Sequence, residues 1–322
     1  MPKRRTDLDY ARGIAILLIL VGHTNGISDN AIKVIYSFHV PLFFVISGML
    51  LRYTGTVERP WRRICQNWWK RYICIVIVWE IILSVFYYLI KDIAWQELLI
   101  NSVTLNFNLA TLWFIPCLIV AEAICIALLK KVKYVTKPQG CAICVILFAV
   151  AAEMMPYLFF RRAFVAVVFI FAGYALEQLR SEVREKKQMA AVAVAATIIW
   201  LLAMSENVRA DLSAGVLGNR IQYYLHSICG SIAILAVCNI AGDGISLLCW
   251  IGQRSMGFLV THIFVRYAVI TAEKVIFGQF FGGWVLAIPI IVLDCAAVWL
   301  IGKILPEIIG GRRKKGVLKQ DA

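Results

Sequence analysis

The sequence predicts an all-α fold, a polytopic integral membrane bundle of about ten transmembrane helices, and three observations predict it. Of its 322 residues, 61% are hydrophobic and 16% charged, against about 45–50% apolar and about 25% charged in ordinary globular chains. Apolar runs of about 20 residues recur from end to end, the length that crosses a hydrocarbon core of about 30 Å at 1.5 Å per residue. The 33 Lys and Arg gather in short clusters between those runs rather than on one polar module. That placement makes the net charge of +14 a topology signal and argues against nucleic acid as a partner. One membrane domain is expected over 1–322, with a ten-helix core at 8–305 and a basic tail at 306–322.

The elements follow in order. The first span, 8–26, comes after Lys3, Arg4 and Arg5, lacks a small-residue cleavage site and reads as a retained helix. The second, 34–53, contains His39, Pro41 and Ser47-Gly48; a kinked or re-entrant helix is open there if protein or water covers the freed carbonyls. Segment 55–71 mixes Arg59, Arg62, Arg63, Lys70 and Arg71 with Trp61, Trp68 and Trp69, the pattern of an amphipathic helix lying on the cytoplasmic leaflet. A plain basic loop and a docking surface for an anionic cofactor fit it equally. The third span, 71–90, carries Glu80, and the fourth, 112–129, carries Trp113 and Glu122. Spans at 140–157 and 164–179 flank Arg161 and Arg162, which together with Glu153 are expected to face external water. The seventh, 189–204, is short and should extend at one end. The eighth, 221–240, begins near His226, which reads as a structural group. The ninth, 255–276, opens on Ser255 and places His262 and Arg266 four apart, on one helix face. The tenth, 284–305, holds Asp294.

Basic residues orient the chain. One side takes the N-terminal cluster, Arg52 and 59–71, Lys130 to Lys137, Arg180 to Lys187, Arg254, and the tail residues Arg312, Arg313, Lys314, Lys315 and Lys319. The other side has Lys33, Lys91, Arg161, Arg162, Arg209, Arg220 and Lys274. Both termini are therefore expected on the cytoplasmic side of an inner membrane, with an even number of spans. Of the ten cysteines, Cys74, Cys117, Cys125, Cys229, Cys238 and Cys295 lie in apolar runs and read as small hydrophobes. Cys141 and Cys144 have no second pair, so no metal is expected.

Ionisable residues inside a span are costly and mark candidate sites. All four His residues lie in or at the ends of apolar runs, which favours a polar internal chamber. Arg12 and His23 are eleven positions apart, about 20° beyond three full helical turns and about 16.5 Å along the axis. A cation near the cytoplasmic surface and an imidazole deeper in suit a long ligand, anionic at one end and reactive at the other. Snorkelling by Arg12 and a hydrogen-bonded helix-end His23 account for the same spacing. Imidazole is the natural general base near neutral pH, with an unperturbed pKa of about 6.5. A carboxylate to orient it is available at Glu80, Glu122 or Asp294, and the sequence does not choose.

The motifs carry a resemblance. Leu8-Asp9-Tyr10-Ala11-Arg12-Gly13 leading to Gly22-His23 resembles the first-helix signature of the acyltransferase 3 family of membrane-bound O-acyltransferases. The branch most resembled is fucose 4-O-acetylase and its relatives. His39, Pro41, Phe43, Phe44, Ser47 and Gly48 match the family's second-helix element, and Arg71 its basic residue opening the third helix, without the Pro many members have before the following Tyr. Leu112-Trp113-Phe114, Gly173-Tyr174, and Gly252, Ser255 and His262 match later elements in the same order.

The resemblance implies transfer of an acyl group, usually acetyl, from cytoplasmic acyl-CoA to a sugar hydroxyl of a surface or exported polysaccharide or glycolipid. It implies His23 as general base, Arg12 and Arg71 as cations on the acetyl-CoA side with Trp113 as a further donor contact, and His39, Ser255 and His262 as contributors. Ser47, Glu80 and Glu122 are site-shaping candidates. The carboxyl-terminal esterase-like or racemase-like domain of some relatives is not expected. The competing account is a transporter with a polar intramembrane pathway, for which internal repeats would be the signature and none is visible.

Overall fold

The computed structural model describes residues 4–91, 93–104, 110–180, 183, 185–205, 208–242, 245–279 and 281–311. Lys3, Arg184 and the tail cluster Arg312, Arg313, Lys314, Lys315 and Lys319 lie outside the described residues. The helices are α1 Thr6–Gly22, α2 Asp29–Tyr53, α3 Trp61–Trp68, α4 Cys74–Lys91, α5 Trp95–Val103, α6 Phe114–Lys131, α7 Pro138–Met154, α8 Leu158–Leu179, α9 Lys186–Ser205, α10 Arg220–Ala241, α11 Ser246–Gln253, α12 Ser255–Phe277 and α13 Trp284–Ile304.

Among the described residues, eight helices are long and apolar enough to cross a membrane, and the chain is a polytopic membrane protein. Each of the ten expected spans coincides with a helix. The two that fall short, α1 and α7, have 17 residues each, about 25 Å of helix against a core of about 30 Å. In α1 the first turn is also spent on Asp7 and Asp9. The seventh span lengthens mainly at its amino end, as α9 starts at Lys186.

Two segments differ from expectation. The second span is neither re-entrant nor interrupted: α2 runs unbroken for 25 residues with Pro41 inside it. A proline lacks the N–H that would serve the carbonyl four residues back, here Ser37. That carbonyl is instead held by Ser227 Oγ at 2.7 Å and His226 Nδ1 at 3.0 Å, both from α10, so His226 is the structural group the sequence suggested. Segment 55–71 holds a short helix, α3, and that helix is continuous with the next span. After a 3₁₀ turn at Thr56–Glu58, α3 passes through a π-turn at Trp69–Ile73 directly into α4, making one apolar helix over Trp61–Ile90. Ile64 and Trp68 are buried; Trp61, on the same face and with its ring 6.3 Å from that of Trp68, is exposed, as is Trp69 in the π-turn.

Helix α2 is the hub, packed on α1, α8 and α10, and 72% of its apolar window is buried against 28% for Trp61–Ile90 and 17% for Lys186–Ser205. The poorly buried helices present residues such as Ile81, Leu89, Val194, Leu202 and Val292 outward, as hydrocarbon-facing surfaces do. The closest approach in the hub is between α2 and α8. A Cβ on Gly48 would strike the Ile170 carbonyl and one on Gly173 the Val45 carbonyl, so small residues let two backbones meet, as interfaces between membrane helices require.

Helix α1 is the seam between two cores. Its Leu8, Ala11 and Ala15 join the core built on α2, α6 and α8, and its Ile16, Ile19 and Leu20 join the one built on α4, α12 and α13. The first residues past the last span are docked rather than free: Pro306–Ile309 form a 3₁₀ turn, and Trp79 Nε1 donates to the Ile308 carbonyl at 2.7 Å.

Candidate active site

The seam helix ends in the turn that presents His23. Its backbone N–H closes α1 on the Ile19 carbonyl at 3.0 Å, and the chain then turns at Gly26, whose φ of +80° and the Gly283 nitrogen 2.7 Å from a would-be Cβ leave no place for a side chain. Gly283 N–H donates to the Asn25 carbonyl at 2.7 Å. The His23 turn is thus pinned to the start of α13 rather than left as a free loop.

Three of the four imidazoles converge here. The His23 and His262 rings lie 5.3 Å apart, and His39 is near enough for the two to interact electrostatically. His39 Nδ1 bonds the Ile35 carbonyl at 2.7 Å and His262 Nδ1 the Phe258 carbonyl at 2.8 Å. A carbonyl only accepts, so Nδ1 carries the hydrogen in both, and Nε2 of the neutral ring is left with a lone pair. In His262, which is 1% exposed, that Nε2 is buried without a hydrogen-bond partner among the described residues. Tyr36 packs edge-on against His39 at 4.9 Å. Arg266 Nη2 donates to Asn25 Oδ1 at 2.8 Å, and Arg266, Arg209 and Asp211 all act on His23 through their charges. None of the carboxylates expected to orient His23 does so among the described residues. Glu80 accepts from Ser102 Oγ at 2.8 Å, Asp294 from Thr261 Oγ1 at 2.6 Å, and Glu122 lies in the second cluster.

That second cluster surrounds Arg12. The Arg12 side chain, 27% exposed, brings its guanidinium 3.7 Å from Asp9 Oδ1, and Asp9 also binds Arg4 at 2.5 Å. Gly252 of α11 lies against the Asp9 carbonyl so closely that a Cβ would collide with it, which accounts for the glycine of the late motif. From the π-turn come Arg71 and Tyr72, both within the electrostatic reach of Arg12. A turn of π-helix inside an α-helix is a frequent feature of functional sites. Buried Glu122 accepts from Ser47 Oγ and, at 2.6 Å, from Trp68 Nε1, and it feels Arg12 and Arg71. Arg12, Arg71, Ser47 and Glu122 are therefore brought together.

Trp113, Ser255 and Glu80 are placed elsewhere. Trp113 is buried beneath the Arg162 guanidinium, 5.1 Å from its ring centre, and Arg162 in turn bonds the Ser213 carbonyl. That ties Trp113 to the loop carrying Arg209 and Asp211, at the His23 end of the bundle rather than with Arg12 and Arg71. Ser255 opens α12, seven residues and about 10 Å before His262. Glu80 belongs to an α4–α5 contact.

Sequence reasoning missed Asp9, Trp68 and Tyr72 around Arg12, and Tyr36 and Asn25 around His23. Asp9 had a local signal, being three residues before Arg12; the partners of the others come from distant elements. All ten cysteines are free, and no cluster with metal-ligand character occurs among the described residues.

A family model described as an acyltransferase domain matches residues 5–303. No curated protein and no solved structure matches the chain. The match spans the seam helix, the hub and both polar clusters, and the chain belongs to the acyltransferase 3 family.

Proposed function

We propose that the protein transfers an acyl group, acetyl in the simplest case, from acyl-CoA to a sugar hydroxyl of a cell-surface or exported polysaccharide or glycolipid, as in the fucose 4-O-acetylase-like branch. The observation that carries this reading is the two-ended polarity of α1, with the guanidinium of Arg12 toward one end and the three imidazoles at the other. The axial offset of about 16.5 Å is of the order of an extended pantetheine arm. Arg12 and Arg71 would hold the anionic nucleotide end while the thioester reaches His23.

The proposed step balances simply. A nitrogen of His23 takes the acceptor hydroxyl proton as the oxygen attacks the thioester carbonyl carbon. The tetrahedral adduct then expels CoA thiolate, which recovers the proton. His262 and His39, each fixed by its own helix carbonyl, shape the walls. The family match supports an acyltransferase in general; donor, acceptor and base are the proposal.

Both termini are proposed to be cytoplasmic, so that the donor loads from inside and the acceptor meets it in the outer half of an inner membrane. The decisive experiment is transfer of label from acetyl-CoA to glycan in membranes, wild type against His23→Ala at equal protein level. Loss of transfer in the variant is expected; undiminished transfer would remove His23 from the mechanism.

A further inference from the structure

The cations beside His23 bear on the kind of acceptor, an inference that rests on the acyl-transfer reading above. Most basic residues of the loops on this side are tied down. Lys33 Nζ donates to the Ser205 carbonyl at 3.0 Å, Arg161 Nη2 to the Met155 carbonyl at 3.1 Å, Arg162 to the Ser213 carbonyl, and Arg220 pairs with Glu153 at 2.7 Å.

Arg209 and Arg266 differ. Neither appears in an ion pair among the described residues. Arg209, exposed on its loop, lies 4.4 Å over the ring of Tyr36, the residue packed on His39. Among the described residues, Arg266 donates to the neutral amide oxygen of Asn25 and keeps a buried Nε without a hydrogen-bond partner. Their charges meet at His23 from two separate elements. Asp211, the carboxylate sharing this field, is engaged by its own turn, accepting from Ser213 Oγ at 2.5 Å and Ser213 N at 2.9 Å.

A neutral hydroxyl can accept a single hydrogen bond from a guanidinium but leaves both positive charges uncompensated. An anion compensates them: the planar fork of Arg matches carboxylate and phosphate oxygens, and such charge-assisted bonds are the strong ones. We infer that the acceptor carries a negative charge, a carboxylate or phosphate on or beside the acylated sugar, and that Arg209 and Arg266 grip it while its hydroxyl faces His23. They act as specificity-determining residues, distinct from the donor-side cations at the other end of α1.

The test uses the full chain in lipid nanodiscs with labelled acetyl-CoA and glycan extracted from the producing cell's envelope, divided by anion exchange into acidic and neutral pools. Label should enter the acidic pool preferentially. Carbodiimide–borohydride reduction, which removes carboxylates, or aqueous hydrofluoric acid, which removes phosphates, should abolish that labelling and so identify the group. Arg209→Gln and Arg266→Gln should each raise the acceptor KM about tenfold, the scale of one lost charge-assisted bond, with the donor KM unchanged. Arg266→Lys should recover part of the loss. Equal labelling of the two pools, label confined to the neutral pool, or an acceptor KM unmoved in both Gln variants would overturn the inference while leaving acyl transfer intact. Absence of label from both pools would defeat the acyl-transfer reading and this inference with it.

Discussion

The imidazole end and the guanidinium end of α1 solve the same problem, polar groups inside an apolar bundle, by different means. His39 and His262 each anchor Nδ1 on the carbonyl four residues back on their own helix, so at the imidazole end these two rings are oriented locally, and the charged side chains Arg209, Arg266 and Asp211 stand around them. Around Arg12 the groups are charged, and their partners are local for Arg12 but come from other helices for Glu122. Asp9 answers Arg4 and Arg12, and Glu122 is held between Ser47 of α2 and Trp68 of α3. A buried charge costs several kcal/mol unless it is paired and hydrogen-bonded. The lesson is that the orientation of a ring can be set within one helix, whereas the meeting of rings from different helices and the partners of a buried carboxylate such as Glu122 exist only once several helices have assembled.

The contrast can be broken at either end. The largest effect is expected at the imidazole end: His23→Ala should lower kcat by about 10²–10⁴-fold, the usual worth of a general base, with no change in the amount of folded protein. A variant that lost activity only through loss of protein would make His23 structural. Next is Glu122→Ala, which leaves Ser47 and Trp68 without their acceptor and removes one of the carboxylates near Arg12 and Arg71. It should destabilise the fold by about 3 kcal/mol, read as a fall in the detergent melting temperature, and raise the donor KM as well. If it melted like wild type, the donor end would not depend on assembly as argued. Arg12→Ala should then raise the donor KM about tenfold with kcat little changed, because it removes binding made equally in ground and transition states. An unaltered donor dependence would detach Arg12 from the donor. The smallest effect belongs to His226→Leu, about 1 kcal/mol for one hydrogen bond to the Ser37 carbonyl, whose other donor Ser227 remains. A change in kcat there would show that the fourth histidine is not merely structural.

Much of the architecture was readable because it is local. Apolar run length fixes where helices form, and the positions of Arg12 and His23 along α1 follow from helical spacing alone. The relation of His23 to His262 was not readable, since no local pattern says that α12 lies beside the end of α1. The same holds for Trp68 and Glu122. Trp113 is a further case: the family resemblance implies a donor contact, and nothing local announces that the cation over its ring is Arg162, contributed by α8. The charged 55–71 stretch was legible as amphipathic but not as continuous with α4, because a π-turn leaves no compositional mark.

The Ser37 carbonyl links positions that are far apart in the chain. With Pro41 in α2, that oxygen depends on Ser227 and His226 of α10; with an ordinary residue at 41, the helix would serve it internally and the donors on α10 would become dispensable. Residues 41, 226 and 227 therefore form one interchangeable set, in which Pro41→Ala should make the chain indifferent to His226→Leu. The proline thus acts less as a bend than as an obligation that α2 places on α10, one that favours this pairing of helices over any alternative partner lacking a donor at the same height.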